Sequence, residues 1–161
     1  MSDKKIIIYT DGSARGNPGP GGFGVILMFG SYVKEISAGY RLTTNNRMEL
    51  LAVITALQSL KTNDFQINIY TDSKYLVNAI KEGWLEKWIK TDFKGGKKNK
   101  DLWVRYYQLA RNFRIQFHWV KGHAENIHNN RCDFLATNAA DGRNLLVDEE
   151  YEKSLKDEPK N

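Results

Sequence analysis

Residues 6–13, Ile-Ile-Ile-Tyr-Thr-Asp-Gly-Ser, and residues 67–74, Ile-Asn-Ile-Tyr-Thr-Asp-Ser-Lys, share one pattern. In each, a run of β-branched and aromatic residues stops at an aspartate followed by small or turn-forming residues, which is how a buried strand ends. If the two strands are parallel neighbours, Asp11 and Asp72 leave the same edge of a sheet, where open α/β sheets bind ligands. Two carboxylates there repel each other unless a cation lies between them. The alternative is that both are turn or helix-cap aspartates.

Three further stretches have the composition or the alternation of strands. Residues 23–29 and 34–40 predict two strands joined by a turn near Gly30, and with the first strand they make an antiparallel meander. Residues 114–120 alternate apolar and polar side chains, which predicts a fifth strand with one polar side. Because a helical segment precedes the strand at 67–71, a parallel pairing of that strand with the first is geometrically natural.

A Gly- and Pro-rich segment follows the first strand. Residues 12–22 are predicted to be a loop that allows a ligand to approach the backbone closely, with Asn17 as a polar contact. No Gly-Lys-Ser or Gly-Lys-Thr closes the segment, so it is not a phosphate loop of the Walker type.

Helical periodicity begins at Met48. The polar segment before it, residues 43–47, contains residue types that are common at helix N-caps. Glu49 is then expected in the first turn, where the helix dipole favours a carboxylate, and this effect alone explains a glutamate there. The functional interpretation is that Glu49 reaches the edge that holds Asp11 and Asp72. The face predicted to be buried comprises Met48, Leu51, Ala52, Thr55, Ala56 and Ser59.

Three more helices are predicted. One passes through Leu76 and ends at Gly83, one covers about 101–111, and one begins near Asn130 with Asp133 in its first turn. The last is expected to turn Cys132, Leu135, Ala136 and Ala139 inward.

Length and composition describe an ordinary soluble domain. The chain has 161 residues, 41% hydrophobic and 27% charged, which is enough for a sizeable core. No apolar run approaches the length of a membrane span, and residues 1–5 lack the apolar region of a signal peptide. Cys132 is the single cysteine, which excludes an internal disulfide and fits a reducing compartment. We therefore expect a cytoplasmic protein.

The positive charge is concentrated in one segment. The net charge is +5, but residues 74–121 hold 12 Lys and Arg against 4 Asp and Glu. Five aromatic residues are interleaved with these charges, as on a surface that binds a polyanion. The alternative is a solvated helical face with core aromatics. These aromatic residues are Trp84, Trp88, Phe93, Trp103 and Tyr106.

Four carboxylates fall one to an element, each at or beside an element end: Asp11, Glu49, Asp72 and Asp133. Because no cluster of Cys or His accompanies them, they describe a site for a hard cation, Mg²⁺ or Mn²⁺ rather than Zn²⁺. Two such ions can stabilise the attacking water and the leaving oxygen of a phosphoryl displacement. Together with the basic aromatic segment, these acids indicate a metal-dependent nuclease.

Five sequence blocks resemble the signature of bacterial type 1 ribonuclease H. They occur in that family's order and span about residues 5–140. The blocks are Thr-Asp-Gly-Ser-x-x-Gly-Asn-Pro-Gly (10–19), Thr-Thr-Asn-Asn-Arg-Met-Glu-Leu (43–50), Tyr-Thr-Asp-Ser (70–73), Val-Lys-Gly-His-Ala (120–124) and Asn-x-Arg-Cys-Asp-x-Leu-Ala (129–136).

The resemblance implies an α/β fold of the ribonuclease H type, a five-stranded mixed sheet with helices on both faces. It also implies a monomer that cleaves the RNA strand of RNA–DNA hybrids with Mg²⁺, leaving 5′-phosphate and 3′-hydroxyl ends. In the cell such an enzyme removes RNA primers and R-loops. Residues 1–142 would be the catalytic domain, and residues 143–161 an acidic tail that is partly disordered.

The resemblance also assigns roles to single residues. Asp11, Glu49, Asp72 and Asp133 match the family's metal-binding acids, and His123 matches a loop histidine that assists proton transfer or product release. The residues matched to the minor groove of the hybrid, where RNA 2′-hydroxyls lie, are Asn17, Asn45 and Asn46.

Other residues match the DNA-strand side of the family's interface. Thr44 and Asn99 match positions that hold a DNA phosphate. The segment 84–100 resembles the basic protrusion that follows the DNA strand, and it supplies Trp84, Trp88, Lys97 and Lys98 as further candidates.

The chain departs from the family pattern in three places. The basic protrusion is shorter, with Gly95 and Gly96 at its tip. Lys74, which we count among the substrate contacts, stands where glutamine is common and adds charge beside Asp72. Residues 125–127, Glu-Asn-Ile, lack the glycine and proline often found in the histidine loop.

Three other functions compete with this hypothesis. A DNA nuclease or recombinase of the same fold would share the carboxylates but not the block at 43–50. A glycosidase with paired carboxylates does not need four acids or a basic segment. A non-catalytic hybrid-binding module would bind without metal and would tolerate Asp72→Asn.

Overall fold

The chain folds into one mixed five-stranded sheet with helices on both faces. The structure, a computed structural model, describes residues 5–95, 98–122 and 126–156. The strands lie in the order β3-β2-β1-β4-β5. The elements are β1 (Lys5–Ala14), β2 (Gly19–Phe29), β3 (Tyr32–Thr43), α1 (Asn45–Gln58), β4 (Gln66–Thr71), α2 (Lys74–Lys81), α3 (Trp84–Lys90), α4 (Lys100–Ala110), β5 (Arg114–Trp119), α5 (Ile127–Ala140) and α6 (Glu149–Lys156).

The predicted strand pairing is confirmed. β1, β2 and β3 form the antiparallel meander, and β4 pairs in parallel with both β1 and β5. The register of the two similar strands matches Ile8 with Ile69 and Tyr9 with Tyr70. The two aspartates that follow these strands therefore emerge from the same edge of the sheet.

The glycine-rich segment is not the loop that its composition predicts. β1 continues to Ala14 and β2 begins at Gly19, so most of residues 12–22 belong to strands. Two of the glycines on β2 are needed because α5 lies directly against that strand. A Cβ added at Gly22 would lie 2.4 Å from the Ala136 carbonyl oxygen, and one at Gly24 would lie 2.5 Å from that of Cys132.

α1 begins earlier than its periodicity predicts and is buried on more than one side. Thr44 caps it by accepting a hydrogen bond from the Arg47 amide, so Met48 is not its first residue and Glu49 lies beyond the first turn. The predicted single buried face is wrong, because α1 packs between the sheet and α4. Its buried residues are Arg47, Met48, Glu49, Leu50, Ala52, Val53, Ile54, Ala56 and Leu57.

α5 likewise begins earlier than predicted. Asn126 caps it through the Asn129 amide, which moves Asp133 from the first turn into the second. Of the side chains expected to face inward, Cys132 and Ala136 are buried, whereas Leu135 and Ala139 are half-buried.

The segment after residue 142 is not merely a polar extension. The Leu146 amide donates to the Gly39 carbonyl at 2.8 Å, and the Leu146 carbonyl accepts from Arg41 at 2.9 Å, which adds a short bridge beside β3. Asp148 is buried, and α6 follows it. The division of the chain at residue 142 stays a prediction, and residues 157–161 lie outside the described residues.

No helix within the described ranges is both long enough and apolar enough to cross a lipid bilayer.

Candidate active site

Asp11 and Asp72 meet at the edge of the sheet formed by the ends of β1 and β4. Continuing the register beyond Tyr9 and Tyr70 places the two aspartates opposite each other. Asp11 is paired with Gly24 of β2, which faces α5, and paired residues share a face of the sheet. Asp11 is therefore directed towards the α5 side and is buried, whereas Asp72 is half-buried.

Glu49 reaches the same edge from α1. Its Oε1 accepts a hydrogen bond from the Gly12 amide at 3.0 Å, and its Oε2 accepts a longer one from the Thr71 hydroxyl at 3.5 Å. A Cβ at Gly12 would lie 2.4 Å from the Glu49 amide nitrogen, so only glycine allows α1 to approach β1 this closely. The sequence interpretation in which Glu49 reaches the aspartates is the one the structure supports.

The structure brings three of the four predicted acids into one cluster. Oxygens of Asp11, Glu49 and Asp72 lie within 4.8 Å of one another. Asp133 is not part of this cluster among the described residues, but its charge raises the pKa of Asp11, so it lies close enough to act on it. α5 thus places the fourth acid beside the cluster.

The cluster is electrostatically strained without a cation. Burial, and then the charges of Glu49 and Asp72, raise the pKa of Asp11 far above its ordinary value of 3.8. Burial also raises the pKa of Glu49 above neutrality, against the opposing effect of its hydrogen bonds. A proton or a cation must therefore offset the repulsion. Carboxylate oxygens are the ligands that hard cations prefer, so the residues present fit Mg²⁺ or Mn²⁺.

Aromatic and basic side chains flank Asp72. The indole nitrogen of Trp119 donates to the Asp72 carbonyl at 3.2 Å, and the Lys74 ammonium lies 5.1 Å from the centre of the Trp119 ring. A Cβ at Gly122 would lie 2.7 Å from Asp72 Oδ2, so the chain after β5 passes directly over this carboxylate. Lys74 therefore lies beside the cluster, as the sequence predicts.

Several predicted substrate contacts line one groove, whose lining contains none of the three clustered acids. Its volume is about 1000 Å³. The N-termini of α1 and α4 both open into it, and helix N-termini attract phosphate groups. The predicted contacts in its lining are Asn17, Thr44, Asn46, Trp88, Lys98 and Asn99.

Asn17 and Asn45 also connect the end of β1 to the start of α1. The Asn17 carboxamide oxygen accepts from the Asn45 amide at 2.9 Å, and the Asn45 carboxamide oxygen accepts from the Ala14 amide at 2.6 Å. These bonds fix the orientation of both carboxamides at the rim of the groove.

The other predicted contacts have different fates. Trp84 is 41% exposed on α3 and does not line the groove, although Trp88 does. The Trp88 ring also packs against Trp103, so it belongs partly to the core. Lys97 and His123 lie outside the described residues.

Sequence analysis missed an arginine-centred cluster and one wall of the groove. Arg47 is held by Asp101 and Asp148, and α6 adds Tyr151, Ser154 and Leu155 to the lining. A local signal was present: Asp148 precedes three glutamates, with lysines in the last turn of the helix. An acidic first turn after an aspartate, with lysines in the last turn, is typical of a capped helix.

Comparison with known proteins identifies the family. A family model for RNase H matches residues 3–141. The chain is 49% identical to the ribonuclease H of Syntrophus aciditrophicus over 152 residues, which cover 92% of this chain and 87% of that protein. It is 54% identical to the ribonuclease H of Chlorobium phaeovibrioides over 138 residues, or 83% of this chain and 94% of that one.

Solved structures give the same result. LC9-RNase H1, described as a type 1 RNase H with the type 2 active-site motif, superposes with a TM-score of 0.79 at 29% identity, covering 96% of this chain and 82% of that one. LC11-RNase H1, solved in complex with an RNA/DNA hybrid, gives a TM-score of 0.65 at 28% identity, covering 84% and 96%. The chain therefore belongs to the ribonuclease H family, in which it is a bacterial type 1 member and an endoribonuclease.

Proposed function

We propose that this endoribonuclease hydrolyses the RNA strand of RNA–DNA hybrids at a Mg²⁺ site formed by Asp11, Glu49, Asp72 and Asp133. The observation that carries the proposal is the cluster of Asp11, Glu49 and Asp72, whose carboxylate oxygens lie within 4.8 Å of one another at the sheet edge. The solved hybrid complex of LC11-RNase H1 supports the choice of substrate.

The chemistry is a phosphoryl displacement by water. Asp11, Glu49, Asp72 and Asp133 would hold two Mg²⁺ or Mn²⁺ ions, which when bound would supply Lewis-acid stabilisation of the charge on the phosphate oxygens. Glu49 is held in place by the Gly12 amide, and Asp72 by the indole of Trp119 bound to its backbone carbonyl. These contacts pre-organise the carboxylates, so little reorganisation is needed during the reaction.

Water attacks the phosphorus, and the bond from phosphorus to the 3′ oxygen breaks. The products are then a 5′-phosphate and a 3′-hydroxyl end. The attacking water loses a proton and the leaving 3′ oxygen gains one, and we assign assistance with this proton transfer to His123.

The substrate contacts divide between the two strands. Asn17, Asn45 and Asn46 present carboxamides that suit the 2′-hydroxyls of RNA, which accept and donate hydrogen bonds. On the DNA side, positive charge and two helix N-termini favour the phosphate backbone. We assign that side to Thr44, Asn99, Lys97, Lys98, Trp84 and Trp88, with Lys74 beside the cleaved phosphate.

This activity suits the removal of RNA primers and R-loops in the cytoplasm. We assign catalysis to residues 1–142, which supply the acidic cluster, and we expect the protein to act as a monomer.

The test is cleavage of one end-labelled RNA, presented as a single strand, as an RNA duplex and as an RNA–DNA hybrid, with Mg²⁺ or with EDTA. We expect cutting of the hybrid alone, only with Mg²⁺, and none by Asp72→Asn. End analysis of the fragments checks the predicted 5′-phosphate.

Two outcomes would contradict the proposal. Cleavage of duplex RNA at the same rate as the hybrid would show that the enzyme is not specific for RNA–DNA hybrids. Tight hybrid binding with no cutting in either Mg²⁺ or Mn²⁺ would make the protein a binding module.

A further inference from the structure

The buried Arg47 side chain connects the C-terminal segment to the groove. Its guanidinium is bound on one side by Asp148, at 2.7 and 3.0 Å, and on the other by Asp101, at 2.8 and 2.6 Å. The Thr43 hydroxyl donates to Asp148 at 2.8 Å, which adds a third bond to that carboxylate. The Arg47 side chain is only 4% exposed, so these partners hold it in one position.

Arg47 in turn holds Asn99. Its Nη1 donates a long hydrogen bond, 3.4 Å, to the Asn99 carboxamide oxygen. The other end of that carboxamide donates to the Tyr75 hydroxyl at 3.2 Å, and Tyr75 itself accepts from the Trp103 indole at 2.7 Å. Asn99 directly precedes α4 with a φ of 68°, a conformation that asparagine tolerates, and these side-chain bonds orient its carboxamide.

The helix that follows Asp148 forms part of the wall of the groove. Asp148 Oδ1 accepts from the Tyr151 amide at 3.4 Å, so the carboxylate that binds Arg47 also caps the start of α6. Tyr151, Ser154 and Leu155 then line the same groove as Lys98 and Asn99. One carboxylate therefore contacts both Arg47, which holds Asn99, and the start of α6.

We propose that Asp148 is a positioning residue for binding of the DNA strand, acting through Arg47 on Asn99. The proposal rests on the proposed function, because it takes Asn99 as a phosphate contact. The C-terminal segment is thus part of the substrate-binding site rather than an appendage to it. Its effect falls on hybrid binding, since Asp148 does not belong to the carboxylate cluster that carries the reaction.

Asp148→Asn tests this because it keeps the shape of the side chain and removes its charge. We expect KM for a hybrid to rise about fivefold, because that factor corresponds to the free energy of about one hydrogen bond. We expect kcat to stay within twofold of the wild-type value. Measurements are made at a temperature where circular dichroism shows both proteins folded. Hybrid affinity in EDTA, followed by fluorescence anisotropy, should fall by the same factor.

Glu152→Gln is the matched control. Glu152 also lies on α6 and forms a two-bond pair with an arginine, Arg41, at 2.8 Å for each bond. That pair joins α6 to β3 without contacting Arg47. We expect its KM to stay at the wild-type value even if α6 is loosened.

A double-mutant cycle separates positioning from general destabilisation. In an Asn99→Ala background, Asp148→Asn should raise KM by less than twofold, because the residue through which it acts is gone. The proposal would be overturned if Asp148→Asn raised KM as much in the Asn99→Ala background as in the wild type. An equal KM for Glu152→Gln and Asp148→Asn would also overturn it. A wild-type protein that cuts no hybrid would instead overturn the proposed function.

Discussion

Arg47 and Glu49 lie two residues apart on α1, and each joins a group of acidic side chains, but the two groups are balanced in opposite ways. Asp101 and Asp148 surround the guanidinium of Arg47. Although burial opposes it, the hydrogen bonds and charge of Arg47 lower the pKa of Asp101. Asp11 and Glu49 have no such cation in the cluster of the described residues, and their pKa values are raised.

The difference separates a structural acid cluster from a functional one. Where the chain supplies its own cation, the carboxylates serve to join α1, α4 and the C-terminal segment. Where it does not, folding leaves a repulsion that only a proton or a metal ion relieves. Substitutions in the two groups should therefore have opposite effects on stability and activity.

The largest expected effect is the loss of activity in Asp11→Asn. Replacing one ligand of the cluster should lower hybrid cleavage by about a thousandfold or more, since the metal supplies several kcal/mol of transition-state stabilisation. Steady-state cleavage with Mg²⁺ measures it. Asp64→Asn is the control, because Asp64 is exposed and precedes the start of β4, away from the cluster. Its cleavage activity should match the wild type. A loss of less than tenfold in Asp11→Asn would break the distinction between the clusters.

Removal of the internal cation should have the next largest effect, on stability. Arg47→Met leaves Asp101 and Asp148 without a counter-charge and should lower the free energy of unfolding by about 3–5 kcal/mol. Urea unfolding in EDTA measures it. Arg131→Met, which breaks the exposed pair with Glu35, should cost far less. Equal losses in the two variants would show that burial of the pair adds nothing.

The stability of the metal-free protein should fall as pH rises. Above the ordinary pKa values of 3.8 and 4.5, the unfolded chain releases protons that folded Asp11 and Glu49 retain. The folded state then binds more protons than the unfolded state. The free energy of unfolding therefore declines as pH rises, until the pH passes the raised pKa values, which lie above neutrality. Asp101, which is paired with Arg47, has a lowered pKa and acts at lower pH.

We expect a decline of about 2 kcal/mol between about pH 5 and pH 8 in EDTA, measured by urea unfolding. Mg²⁺ should reduce the decline, and Asp11→Asn should reduce it without metal. A stability that rises over this interval in EDTA would contradict the raised pKa values.

The smallest predicted effect concerns Lys74, beside the cluster. Lys74→Gln should raise KM by about twofold and weaken the salt dependence of hybrid binding by about one phosphate contact. Lys81→Gln, at the other end of α2, is the matched control. If both variants change the salt dependence equally, Lys74 contributes only to the overall charge.

The parts predicted best from the sequence are those with a strong local pattern. The shared pattern of residues 6–13 and 67–74 predicted the parallel pairing of β1 and β4. Because the two strands end alike, it also placed Asp11 beside Asp72. Residues 12–22 were mispredicted because glycine in a strand has the same composition as glycine in a loop. Only the tertiary structure explains Gly12, where α1 approaches β1, and Gly22, where α5 lies against β2.

The sequence by itself determined the α/β class, the strand pairing and the acids at the strand ends, because alternation and turn residues are local properties of the chain. Tertiary structure alone decided that α1 is buried on more than one side, and that Arg47 joins Asp101 to Asp148. It also decided that residues of α6 line the groove. These features depend on residues distant in sequence, and an ion pair between distant residues has no periodicity to detect.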